Sequence, residues 1–125
     1  MKTILLALCL AIITPAKIPG FSFSEIIKAI KSGNAKDVAK YFDNTVEITL
    51  PNKSNTYSKS QGEMVIRDFF SLNSIKNFEL IHQSENAASQ YCIGNLNTGN
   101  GTYRTTIYMK QKGDKQLVQE IRFEK

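Results

Sequence analysis

The chain has 125 residues, 16 Lys and Arg against 11 Asp and Glu, a formal net charge of +5 and a hydrophobic fraction of 42%. Apart from Lys2, its cations run from Lys17 to Lys125 with acids interleaved, and no basic stripe coincides with exposed aromatics, which argues against a nucleic-acid partner. The length leaves room for one small domain built round one core.

Residues 1–16 read as a secretory signal: Lys2 gives a positive start, Ile4 to Ile13 form an apolar run, and Thr14-Pro15-Ala16 offers a small residue for cleavage. Lys17-Ile18-Pro19-Gly20 is then a breaker-rich joint over 17–20, ahead of a single domain over 21–125. A membrane span needs about 20 apolar residues, and this run stops at Pro15 and Lys17, so no stable span is expected after processing. The expected localisation is secreted or periplasmic. Cys9 leaves with the signal and Cys92 remains alone, which excludes an internal disulfide. Set between Tyr91 and Ile93 in a strand, Cys92 reads as a buried structural thiol rather than a nucleophile.

The domain opens with Ser22 and Glu25 at capping-box spacing and with Phe21 placed to staple against Ile26, predicting a helix to about Ser32 that Gly33 ends. Asn34, with Asp37 three residues later, starts a second helix at once, with Val38, Tyr41 and Phe42 on a shared face. Thr45 to Leu50 alternates strictly, turning Val46, Ile48 and Leu50 to one side and Glu47 to the other, until Pro51 stops it. Asn52 to Tyr57 is polar and reads as a turn with a short edge strand. Ser60 and Glu63 repeat the capping-box spacing for a third helix, predicted to bury Val65, Phe69 and Leu72, with Ile66 and Phe70 widening the stripe.

Four strands follow. Ile75 to Ser84 sets Phe78, Leu80 and His82 on one face, and Asn86 to Ser89 turns the chain into Gln90 to Leu96. Asn97-Thr98-Gly99-Asn100-Gly101 returns it into Thr102 to Gln111, where Tyr103, Ile107 and Met109 share a face. Lys112-Gly113-Asp114-Lys115 then turns it into a last run with Leu117, Ile121 and Phe123 on one face. Helices segregated from a mostly antiparallel sheet make an α+β domain, with three N-terminal helices expected in the hollow of a curved sheet as a cone.

That order of elements resembles the nuclear transport factor 2-like, or cystatin-like, superfamily. More narrowly, Tyr91-Cys92-Ile93-Gly94-Asn95-Leu96-Asn97-Thr98-Gly99-Asn100-Gly101 to Tyr103, followed by Leu117-Val118-Gln119-Glu120-Ile121-Arg122-Phe123, resembles secreted bacterial proteins of the domain of unknown function 4783 family. The likeness runs from about Phe21 to Lys125 and rests on structural motifs, so it implies a fold rather than a chemistry. Enzymes of the superfamily, such as the ketosteroid isomerase-like and polyketide cyclase-like members, commonly carry a carboxylate on the first long strand inside the cone. Here the matching strand presents Val46, Ile48 and Leu50 instead, with Glu47 facing away.

His82 is the only histidine, which excludes a metal site built on paired histidines, and Glu79 lies on the opposite strand face from it. No catalytic residue, metal or cofactor is therefore expected. The expected function is a non-catalytic binding module for a small apolar ligand or a protein partner. Tyr41, Phe42, Ile48, Phe69, Phe78 and Tyr103 are the expected pocket. The alternative is an acid–base enzyme of isomerase, dehydratase or cyclase type working inside the cone. A homodimer is a further expectation, through an outer sheet face carrying Arg104, Thr106, Tyr108, Glu120 and Arg122.

Overall fold

The computed structural model describes residues 23–84 and 90–125. The signal, the joint, the Ser22 cap, the Phe21 staple and the Asn86–Ser89 turn lie outside the described residues. Among the described residues, no helix is long and apolar enough to cross a membrane.

Helices α1 (Ser24–Ser32) and α2 (Ala35–Ala39) come first, followed by strands β1 (Phe42–Leu50) and β2 (Lys53–Ser58). Helix α3 (Lys59–Leu72) intervenes before β3 (Ile75–Gln83), β4 (Gln90–Thr98), β5 (Gly101–Lys112) and β6 (Lys115–Glu124). All six strands join one sheet in the order β2-β1-β6-β5-β4-β3, in which only the β1–β6 pair is parallel. The expected α+β class with a mostly antiparallel sheet holds, but only two of the helices are N-terminal, because α3 is inserted between β2 and β3.

Local chemistry explains most boundaries. Gly33 closes α1 at φ 68°, and the Asn34 side chain accepts from the amides of Lys36 and Asp37 to start α2. Helix α2 stops at Ala39, so Phe42 belongs to β1 rather than to a helical stripe, and Tyr41 lies between the two elements. The capping box of α3 is Ser58 with Gln61 rather than Ser60 with Glu63, which starts the helix one residue after β2 ends.

The buried stripe of α3 also differs from its predicted position. Gly62, Ile66, Phe69 and Phe70 are buried, Val65 is half-buried, and Leu72 is 74% exposed. Gly62 is the reason: a Cβ there would stand 2.8 Å from Cγ1 of Val46 and 3.1 Å from Cε2 of Phe42. The bare Cα lets α3 close onto β1 along its Gly62–Ile66 line, which leaves Val65 and Leu72 on the flank. Further along, the Phe69 ring stacks on Phe123 at 4.5 Å and meets Tyr103 edge-on at 5.1 Å.

Two of the sheet's register shifts explain side chains found on unexpected faces. The β3–β4 register shifts between Leu80 and His82, so Phe78 and Leu80 oppose Leu96 and Gly94 while His82 opposes Ile93. His82 therefore leaves the face it was expected to share with Phe78 and is exposed. On the other side of the sheet, Tyr108 pairs with Glu120 but Met109 pairs with Val118, leaving Gln119 without a partner on β5. Val118 is thereby fully buried, and Leu117, expected to share a face with Ile121 and Phe123, is half-buried on the opposite side.

An acid holds the second bulge. The Asp43 carboxylate accepts from the Asn44 amide at 2.7 Å, from Gln119 Nε2 at 2.9 Å and from Lys112 Nζ at 2.6 Å. Those donors, Lys112 foremost, lower its pKa from 3.8 to about 2. The Val118 amide donates to the Tyr41 carbonyl at 2.6 Å and ties β6 to the start of β1 beside it.

Candidate functional site

Among the described residues, a cavity of about 620 Å³ opens at one end of α3, within the size range of small-molecule sites. Leu50, Pro51, Asn52 and Lys53 bring the β1–β2 turn to one side of it, and Val65, Asp68, Phe69 and Leu72 bring the flank of α3. Asn73, Tyr103 and Lys125 complete the lining. The apolar character of this lining follows from the closure of α3 onto β1, since Val65 and Leu72 are the residues that the Gly62 contact turns away from the core.

A polar network makes one wall rigid. Buried Asn73 ends α3, donating to the Phe69 carbonyl both from its backbone amide at 3.0 Å and from Nδ2 at 2.9 Å. Its Oδ1 accepts from the Tyr103 hydroxyl at 2.8 Å and from Asn100 Nδ2 at 3.2 Å. Asn100 Nδ2 also donates to the Leu72 carbonyl at 2.6 Å, and the Asn100 carbonyl accepts from Lys125 Nζ at 3.0 Å. The ammonium of Lys125 stands 5.1 Å from the centroid of the Tyr103 ring, a cation–π distance. The turn between β4 and β5 thus satisfies the open end of α3 and aims a cation at the cavity wall.

The six residues expected to form a pocket separate into two groups. Phe69 and Tyr103 meet edge-on and both line this cavity. Phe42 and Ile48 are fully buried in the core against α3 and β6, and Phe78 is buried beneath the bare Cα of Gly94. Tyr41 lines a separate shallow depression between α1 and α2, with Glu25, Lys28, Ser32 and Lys40. Sequence reasoning did not reach Leu50, Pro51, Lys53, Leu72, Asn73 or Lys125. The one signal for Leu72 was its place at the end of a helix whose Gly62 marks the close-packed side.

The titratable groups weighed for acid–base chemistry lie elsewhere. Glu47 and Glu120 are direct partners across β1 and β6 on the sheet face away from the helices. Burial, and then the charge of Glu47, raise the pKa of Glu120. His82 is exposed, with its ring 5.8 Å from that of Tyr91, which lies 5.8 Å from that of Tyr108, a row across β3, β4 and β5. Cys92 is fully buried, and desolvation pushes its thiol up to about 12, so it is no thiolate nucleophile at neutral pH. Among the described residues, no group of three His, Cys, Asp or Glu side chains could hold a metal ion.

A family model described as "Domain of unknown function (DUF4783)" matches residues 23–124. The chain is similar to the crystal structure of a DUF4783 family protein from Bacteroides uniformis, with 30% identity and a TM-score of 0.79 over 84% of this chain and 97% of that one. A DUF4783 family protein from Bacteroides ovatus superposes with a TM-score of 0.79 and 26% identity over 85% and 96% of the respective chains. An NTF2-like protein of unknown function from Cytophaga hutchinsonii shares the fold at 11% identity, with a TM-score of 0.58 over 80% and 82%. No curated protein matches.

Proposed function

The chain belongs to the DUF4783 family, and for it we propose a role as a non-catalytic binding module that takes a small apolar ligand in the cavity at the end of α3. In this reading the sheet curves round the helices as a cone, with the cavity at its mouth. Residues 1–16 direct the protein to the periplasm or out of the cell and are removed, 17–20 form a joint, and 21–125 form the single binding domain.

The observation that carries the reading is Leu72. A leucine 74% exposed on the lip of a cavity backed by Val65, Phe69 and Tyr103 is an apolar surface that a ligand would cover, at about 25 cal/mol per Å² removed from water. The acid–base alternative draws less support, because His82 and the Glu47–Glu120 pair lie away from the cavity. A protein partner, or a second copy of the chain, has its own support on the outer sheet face. There the half-buried Tyr91 and Tyr108 stand beside exposed His82.

The test is fluorescence of the neutral dye N-phenyl-1-naphthylamine with the purified protein. Saturable binding should be lost in Leu72→Glu, a surface change that costs within about 0.5 kcal/mol of stability. A parent protein that never enhances the dye, or a Leu72→Glu variant that binds it unchanged, would remove the cavity from consideration.

A further inference from the structure

The rim of the cavity is not neutral, and its charges point to the chemistry of the ligand's head. Lys53, on β2, and Lys125, just after β6, approach the cavity from either side of β1. Four cations elsewhere are neutralised, Lys40 by Asp37, Arg67 by Glu63, Lys112 by Asp43 and Arg122 by Glu120, whereas the two at this rim are not. Among the described residues, neither Lys53 nor Lys125 has a carboxylate within 4.0 Å. Lys125 is nonetheless positioned, since one donor is held by the Asn100 carbonyl at 3.0 Å and the Tyr103 ring lies beneath the charge. Its other two N–H groups are free to serve a ligand. Asn52 adds a further amide donor to the same rim, and Asp68 is the one carboxylate side chain of the lining.

We infer that the cavity takes an anionic amphiphile, with its hydrocarbon body against Val65, Phe69 and Leu72 and its single carboxylate, sulfonate or phosphate head between Lys53 and Lys125. The inference rests on the cavity being a ligand site and adds the class of ligand. A neutral hydrocarbon would use the apolar floor and leave both ammonium groups facing water. An anion uses both, and Asp68 is the one side chain of the lining that opposes it.

Displacement of N-phenyl-1-naphthylamine by sodium decanoate and by 1-decanol separates the two levels. The double variant Lys53→Gln/Lys125→Gln should weaken decanoate roughly 5- to 10-fold, the scale of two exposed ion pairs, and leave decanol within about 2-fold. Raising NaCl from about 0.02 M to about 0.5 M should weaken decanoate alone, through screening, and Asp68→Asn should strengthen it. Equal changes for acid and alcohol, with the dye still bound, would overturn this inference and leave the apolar site standing. Tighter binding of decylamine than of decanoate would overturn it by giving the anchoring charge to Asp68. A parent protein that does not bind the dye would end both readings.

Discussion

Each strand of the sheet is read differently from its two sides. Towards the helices, Ile48, Leu96, Ile107, Ile121 and Phe123 are buried, and the Phe69 ring stacks on the last of them. On the opposite side, the same strands present Glu47, Asn95, Tyr108, Glu120 and Arg122, all exposed or half-buried. Strict alternation would make this division absolute, yet at Ile81 and Gln119 the register slips and the sides exchange. A bulge adds one residue, and one residue is half the period of a strand, so every side chain beyond it changes face. His82 and Leu117 are outside, and Val118 inside, for that reason alone.

The sharpest way to break the contrast is a pair of neighbours on β6. Phe123→Ala should cost about 3 to 5 kcal/mol, because it empties a fully buried site stacked on Phe69. Arg122→Ala, one residue away on the outer face, removes ion pairs to Glu120 and Glu124 at a side chain 43% exposed and should cost below about 1 kcal/mol. Urea titrations giving equal losses for the two would show that the faces are not as described.

A smaller effect should come from the acid that holds the bulge. Asp43→Ala leaves Gln119 and Lys112 without their shared acceptor and should cost about 1 to 3 kcal/mol near neutral pH. The folded pKa of about 2 lies below the ordinary 3.8, so the carboxylate's contribution is present above about pH 4 and lost as pH falls towards 2. The gap between parent and Asp43→Ala in thermal midpoint should therefore narrow in that window. A gap that stays constant down to pH 2 would mean that the charge is not what Asp43 supplies.

The smallest effect is expected on the outer row of rings. His82→Ala should change stability within about 0.5 kcal/mol, since the ring is exposed, and should leave dye binding in the cavity untouched. A loss of dye affinity there would connect the two sides of the sheet, against the separation drawn above.

Several elements were legible from residue order because their causes are local. Asn34 caps α2 through its own neighbours, Gly33 and Gly113 supply turns at positive φ, and Val46 and Ile48 of β1 and Tyr103, Ile107 and Met109 of β5 are buried as read, although Thr106, expected on the exposed outer face, is buried too. The cap of α3 was missed by two residues, because Ser58-Gln61 and Ser60-Glu63 have the same spacing and only the length of β2 decides between them. Of the candidate pocket, Phe69 and Tyr103 were legible as aromatics on apolar faces. Lys53 and Lys125 were not, since a surface lysine carries no mark of the cavity it borders.

By itself, then, the sequence determined the α+β class, the antiparallel run of the last four strands and the buried, unreactive character of Cys92, because periodicity, caps and turns act over a few residues. Tertiary structure decided the rest. The side of α3 that is buried depends on Gly62 meeting Phe42 and Val46, the exchange of faces at Gln119 depends on an acid 76 residues earlier, and the cavity exists only where β1, α3 and the ends of β5 and β6 converge. Such contacts join residues far apart in the chain, and no local pattern records them.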